Sequence, residues 1–387
     1  MGAEAFGGNI LSEVKEEGLH ELLHSLRELV RPSRDPLAFP PLDNLLNVFQ
    51  NPPQTRQHQQ YQGHQAERPA EEHRTTSSKE KLPPVIEIMG ATACSGKTQL
   101  LYNLVSSSLL PNKYQNVSLG KSNAVIFLDL SGKFSILRLH EILSSHARSV
   151  FQSKSVPFTE QQLSTLISDS LMHLHLFHPH SFSSLLAILD SLPSYLFAQP
   201  STHFSSNRQL GLLAINDVSS FLWQDRLDAD EEAGIGTTST ADKASNSLLL
   251  KRYRTLVSIL RDFQHRFSCT IVATNCGVAP VTLLAGHRAL RPNLPSVWNN
   301  FCTVKIVVER DRVSKFGPGM SAEEAILEGP QRWEAVKKSC FSVWVNWWDS
   351  QGWREEVREA LKSMKHGGSF TSYVTARGFT LDEANGG

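Results

Sequence analysis

The stretch from Gly90 to Tyr102 reads GATACSGKTQLLY: small residues, then a lysine and a threonine, then an apolar run with helical character. It follows the strand-like run VIEIM at 85–89. A loop of small residues between a strand and a helix leaves backbone N–H groups open, and the helix start adds more, so such a stretch can cradle phosphate oxygens. Lys97 would place a cation beside the β and γ oxygens of a nucleotide, and the Thr98 hydroxyl can ligate Mg²⁺. The candidate nucleotide-binding residues are therefore Gly90, Ala91, Thr92, Ala93, Cys94, Ser95, Gly96, Lys97, Thr98 and Gln99, with ATP and Mg²⁺ as the expected cofactors. Five residues separate Gly90 from Gly96, one more than a P-loop normally carries. Either Ala91 takes the first loop position and Gly90 ends the strand, or Gly90 keeps it and the loop bulges by one residue.

Two histidines and four tryptophans also invite a chemical reading. His173 and His175, in HLHLFHPH at 173–180, share one face of a strand, but no carboxylate or cysteine lies nearby in sequence, so a solvated or helix-covered strand face is expected rather than a metal pair. Trp344, Trp347, Trp348 and Trp353 suggest either a strand and turn that bury aromatics or a stacking surface.

These residues need a scaffold. Strand-like runs at 85–89, 124–129, 171–177, 211–216 and 269–274 alternate with helical ones, which predicts a parallel sheet covered on both faces. Leu249, Tyr253, Leu256, Leu260, Phe263 and Phe267 mark a core-facing helix over 247–267. Further strands are expected at about 302–310, 341–347 and 371–375. Residues 1–50 carry short amphipathic helices, read from the apolar spacing between Ile10 and Val30. Residues 51–82 are polar and expected to be a disordered linker, which leaves 83–387 as the main domain, with long loops inserted at 225–246 and 314–330.

Composition limits the setting. Lys plus Arg and Asp plus Glu both number 38 in a chain of 387 residues, so no global charge drives it to nucleic acid or an anionic membrane. The five scattered cysteines form no disulfide framework or zinc motif, which fits a reducing compartment. No secretory signal, myristoylation signal or membrane span is expected, so the cytosol or nucleus remains.

In order along the chain, GKTQLLY after a strand, AVIFLDLSGKFSILRL, LLAINDVSSFLWQDR, IVATNC and SYVTARGF resemble the RecA-like recombinases. Within them the resemblance is nearest to the short recombinase paralogues that lack the usual N-terminal helical DNA-binding domain, and it spans about residues 83–376 apart from the loops. It implies a RecA-like P-loop α/β core, mostly parallel, with helices on both faces. It also implies a nuclear subunit of a recombinase-paralogue hetero-oligomer that assists the strand-exchange recombinase in double-strand break repair. Such a subunit would meet single-stranded or branched DNA, weakly on its own.

The same resemblance marks departures. The position of the water-activating carboxylate holds Ser131, and a hydroxyl is a poor base near neutrality. The Walker B aspartate matches Asn216, followed by Asp217, which could replace it only where the strand end bulges or twists. The γ-phosphate sensor matches Cys276, with Asn275 beside it as the remaining sensor candidate. Of the two DNA-facing loops, 225–246 is acidic, while 277–295 offers Arg288 and Arg291 in a flexible segment. Three readings stay open: an ATP-binding subunit with weak or no hydrolysis, a DNA-dependent ATPase completed in trans by a partner, and a nucleotide-independent scaffold. A different P-loop ATPase or kinase is the runner-up, for which no acceptor site or lid is identified.

Overall fold

The computed structural model describes residues 36–52, 82–197, 204–232, 239–283, 286–311, 316–338 and 340–381. At its centre stand four strands, β1 (Val85–Gly90), β2 (Ala124–Asp129), β4 (Leu210–Asn216) and β5 (Thr270–Thr282). Every residue of β1 and β2 is buried, which explains why both read as unbroken apolar runs instead of alternating ones. With β3 (Leu174–Phe177), β6 (Arg288–Pro292), β7 (Val304–Arg310), β8 (Phe341–Val345), β9 (Phe370–Thr375) and β10 (Gly378–Leu381) they form one sheet. Its order is β10-β9-β8-β7-β1-β5-β4-β2-β3, with β6 paired to β5. The block from β7 to β3 is parallel, and β8, β9 and β10 close the far edge antiparallel. This is the expected α/β architecture with a mostly parallel sheet.

Two apolar cores lie on the two faces of the sheet. On one face, helix α2 (Lys97–Leu109) packs its Leu100, Leu101, Leu104 and Val105 onto Ile86 and Ile88. Helices α3 (Ile136–Ser153) and α4 (Glu160–Leu171) extend that layer. On the other face, α5 (Phe182–Leu196), α7 (Ser239–Phe267) and α8 (Ser296–Phe301) cover Ile126, Leu213, Ile271 and Ala273. The loops that leave the carboxyl ends of the parallel strands are where ligands bind in such sheets.

Several expectations need correction. Leu37–Gly387 forms one compact unit, so the packed region begins well before residue 83. Helix α1 (Pro40–Gln50) buries Leu42, Leu45 and Leu46 in the first core, and the Asp43 carboxylate folds the preceding chain back by accepting from Leu37 N at 3.0 Å and Phe39 N at 2.7 Å. The amphipathic stretch from Ile10 to Val30, and most of the polar stretch 51–82, lie outside the described residues.

The segment expected as a loop at 225–246 is largely helical. Helix α6 (Leu222–Glu232) buries Leu222, Asp225 and Ala229, and α7 starts at Ser239. The Arg252 guanidinium draws three of the segment's acids together, pairing with Asp225, Asp228 and Glu232. The second expected loop, 314–330, runs into helix α9 (Ala322–Lys338). Ser321 and Glu324 form its capping box: Ser321 N donates to Glu324 Oε2 at 2.9 Å and Glu324 N to Ser321 Oγ at 3.2 Å. In the stretch 277–295, β5 continues to Thr282 and turns back as β6, a hairpin where a flexible loop was expected. Pro280 sits at a register shift of that hairpin, the place where a strand tolerates proline.

Candidate phosphate-binding site

Strand β1 ends at Gly90 and helix α2 begins at Lys97, so the small-residue loop leaves the carboxyl end of a central parallel strand. Gly90 lets the loop return close to the strand end: a Cβ there would lie 2.3 Å from Ser95 Oγ and 3.0 Å from Lys97 Nζ, so those side chains would have to shift. Gly96 is required by conformation, with φ at 96°, and a Cβ there would also strike Phe341 of β8 at 2.7 Å. Gly90 ends the strand, and in the loop between it and Gly96 Cys94 adopts a positive φ of 58°.

The N-terminus of α2 has no side-chain cap, so its first N–H groups remain available, as a phosphate would require. Lys97 Nζ lies 3.1 Å from Ser95 Oγ and 3.5 Å from Thr92 O, and among the described residues it makes no ion pair. Ala91, Thr92, Ala93 and Cys94 are exposed, Ser95 is buried, and Thr98 is half-buried on the first turn. Gln99 faces sideways, where its Oε1 accepts from Arg138 Nε of α3 at 3.0 Å. Tyr102 OH accepts from Ser135 N at 2.8 Å, which ties α2 to the turn after β2. An uncapped helix start, a carboxylate-free lysine and a loop closed against Gly90 fit the phosphates of a nucleotide.

The ends of β2, β4 and β5 meet in one hydrogen-bond network. Asn216 Nδ2 donates to Asp129 Oδ1 at 3.0 Å and to Ser131 Oγ at 2.9 Å, while its Oδ1 accepts from Thr274 Oγ1 at 3.1 Å. Ser131 Oγ donates to Asp129 Oδ1 at 3.0 Å, and Phe134 N donates to Asp129 Oδ2 at 2.7 Å. His178 Nδ1 lies 3.6 Å from that second oxygen. Asp129 is therefore the buried carboxylate of this corner, and both its oxygens are occupied. Asp217 leaves the strand with φ at 60°, so the strand does turn there, and its Oδ1 accepts from Ser219 Oγ at 2.7 Å.

No family model matches the chain. It is 25% identical over 252 residues to the DNA repair protein XRCC2 of Mus musculus, covering 64% of this chain and 79% of the mouse protein. It is also 25% identical over 264 residues to an XRCC2 homolog of Arabidopsis thaliana, covering 58% of this chain and 68% of the plant protein. The chain is a distant homologue of XRCC2, a RecA-like recombinase paralogue. That family implies nucleotide binding, which agrees with the chemistry of the loop.

The other anticipated residues of this XRCC2-like chain fall differently. Asn275 is not brought to the loop. On β5, Val272 belongs to the core beneath α2 while Ile271 and Ala273 belong to the opposite one, so strand alternation puts Thr274 on the α2 side and Asn275 on the other. There its Nδ2 donates to Glu87 Oε1 at 2.6 Å. Cys276, exposed, is in register with Gly90.

Arg288 and Arg291 both lie on β6. Arg288 is engaged within the molecule, paired with Glu309 and stacked over Trp344 at 4.7 Å, whereas Arg291 is exposed. His173 and His175 converge on Ser205 Oγ, at 3.0 Å from Nδ1 and 2.8 Å from Nε2, and both rings are buried. This is the covered strand face, and among the described residues no cluster of three or more metal-ligating side chains occurs. Trp344 and Trp347 are buried, and Trp347 stacks on His287 with centroids 3.8 Å apart, so the tryptophan cluster builds the late strands.

Sequence reasoning missed the saturation of Asp129. The signal was the aspartate that ends AVIFLD, but its partners come from the turn after β2 (Ser131 and Phe134), from His178 and from Asn216.

Proposed function

We propose that this chain is an ATP-binding subunit of a nuclear recombinase-paralogue complex that assists the strand-exchange recombinase in double-strand break repair, with weak or no ATP hydrolysis. The observation that carries the binding half is the open α2 N-terminus beside an unpaired Lys97. Loop N–H groups and the helix start would hold the phosphates, Lys97 would sit at their charge, and Thr98 would offer its hydroxyl to Mg²⁺. The bound cation would supply charge neutralisation at the β and γ oxygens.

The same corner argues against fast turnover. A water-activating base must carry a free acceptor within reach of the attacking water. Asp129 has both oxygens engaged, Ser131 donates its hydroxyl to Asp129, and Asn216 turns its nitrogen toward them. Asn216 Oδ1, the atom that could face a metal's water shell, already accepts from Thr274. Weak intrinsic DNA binding is supported by the engagement of Arg288 and by the acids of α6.

Purified protein tests this. Titration with ATP should show saturable binding that Lys97→Ala weakens by at least about tenfold, as expected when a charge-assisted contact of roughly 1.5–3 kcal/mol is lost. Turnover should stay at background with or without single-stranded DNA. Turnover that Lys97→Ala abolishes would overturn the weak-hydrolysis reading, and appearance of turnover only with partner subunits would assign the missing groups to them. Absence of any binding would favour a scaffold.

A further inference from the structure

Glu87 stands in the middle of β1 with its carboxyl fully shielded from solvent. It lies on the face of the sheet away from α2, since Ile86 and Ile88 take the α2 side. Its Oε1 accepts two hydrogen bonds, from Asn275 Nδ2 at 2.6 Å and from Trp298 Nε1 of α8 at 3.0 Å. Its Oε2 is buried with no hydrogen-bond partner, and so is Asn275 Oδ1. An orphaned buried acceptor is costly, and here two occur on groups that already share a hydrogen bond.

One proton removes both faults. On Oε2 it converts an unsatisfied acceptor into a donor, and Asn275 Oδ1 is the open acceptor on the adjoining amide. Carboxylic acid and primary amide then join through two bonds, N–H to Oε1 and O–H to Oδ1. An ionised carboxyl would leave both atoms unserved and a charge in an apolar interior.

The charged and titratable groups that bear on Glu87 are few. Lys305 of β7 attracts a carboxylate, but its ammonium is paired with Asp349. The Cys302 thiol, just before β7, is itself held protonated by burial, and as a weak donor beside Glu87 it favours the carboxylate. Asn275 and Trp298 are neutral donors. Burial outweighs Lys305 and the donors and pushes the Glu87 carboxyl above the usual range.

We propose that Glu87 is protonated in the folded protein at neutral pH, and that its acid–amide pair with Asn275 positions the end of β5 against the end of β1. The register makes the consequence local: Asn275 faces Met89 and Cys276 faces Gly90, where the phosphate loop departs. Glu87 acts through the backbone and touches no ligand. Its effect on nucleotide rests on the proposed function; its protonation does not.

The test uses the full chain and the variants Glu87→Gln and Glu87→Ala. Glutamine reproduces the neutral acid, with a carbonyl for Asn275 Nδ2 and an N–H for Asn275 Oδ1, so stability and ATP affinity should stay within about twofold of the parent. Alanine leaves Asn275 and Trp298 unserved and should lower ATP affinity about tenfold or more. Infrared difference spectra of parent against Glu87→Gln at neutral pH should show one protonated-carboxyl stretch in the parent that the variant lacks. Raising the folded-state affinity for a proton makes parent stability fall as pH rises from the unfolded carboxyl range upward, whereas Glu87→Gln should follow a flatter denaturant-midpoint profile. A missing infrared band, or a Glu87→Gln variant as damaged as Glu87→Ala, would overturn the proposal. If the parent binds no nucleotide, the proposed function fails, and the infrared band and pH profile still decide the state of Glu87.

Discussion

Asn216 stands where the Walker B aspartate is expected, and its surroundings say why an amide suits this molecule. Its nitrogen serves Asp129 and Ser131 while its oxygen is served by Thr274, so donor and acceptor both have partners. Aspartate in its place would lose the donor and set a second carboxylate about 3 Å from Asp129. Asn216→Asp should therefore destabilise the protein by about 1–3 kcal/mol at pH 7. Two carboxylates that close raise at least one folded-state pKa, so the penalty should shrink as pH falls to about 5, in urea unfolding at both pH values. The substitution alone should not restore turnover, because Ser131 remains without a carboxylate. A variant as stable as its parent at pH 7 would show that the Asp129 corner is looser than its hydrogen bonds indicate. At this scale the sequence exposed the loop well: Gly90, Gly96, Lys97 and Thr98 are local, and their spacing carries their chemistry. The saturation of Asp129 was hidden because Asn216 and His178 are brought to it by the sheet order, which no spacing along the chain encodes, although Ser131 and Phe134 are local.

Helices α6 and α7 show the same limit at the next scale. Polar composition from Asp225 onward suggested a loop, yet Leu222, Asp225 and Ala229 recur at helical spacing and face inward. The buried member of that stripe is an acid, so an apolar-periodicity reading passes over it. Asp225 is pushed up to about 6 by burial, with Asp228 adding to the rise and Arg252 opposing it. A folded-state value above the unfolded one means that stability is full below about pH 4 and is lost as pH rises through about 6. Asp225→Asn should remove that slope, so that the variant gains on its parent by up to about 2 kcal/mol between pH 4 and 7, as read from urea midpoints. An unchanged slope would mean that Arg252 fully compensates the carboxyl. Helix α1 escaped notice for a different reason. It falls inside the 1–50 stretch read as separate helices, and a long polar stretch divides it in sequence from the sheet that it covers. Leu45 is nevertheless buried in the α2-side core, and Leu45→Ala should cost about 2–5 kcal/mol in the same measurement. A cost below about 1 kcal/mol would detach α1 from the folded domain. The strands were the most legible elements, because parallel strands buried on both faces need apolar residues at nearly every position.

For the whole molecule, the α/β class and the order of the central motifs follow from alternating apolar runs. The antiparallel extension depends on pairings between distant segments where β7 meets β8 and β8 meets β9, whereas the β5–β6 and β9–β10 hairpins are local. What separates a nucleotide-binding subunit from a scaffold with a relic loop is linkage, which acts on the folded state as one body. A ligand that binds only the folded chain stabilises it by about 2.7 kcal/mol at a hundred times its dissociation constant. Saturating ATP should raise the unfolding midpoint of the parent accordingly and leave Lys97→Ala nearly unmoved. The parent and Lys97→Ala should match without ATP, since Lys97 makes no ion pair among the described residues and contacts only Ser95 and Thr92. Removing Mg²⁺ should reduce the ATP effect only partly, because Thr98 offers a single hydroxyl, Asn216 and Asp129 serve each other, and Asp217 Oδ1 accepts from Ser219. Complete loss of the ATP effect on chelation would instead mean that a carboxylate, with Asp217 the nearest to the turned strand end, comes to the cation when nucleotide binds. The same midpoint in both proteins with and without ATP would make the loop a structural relic.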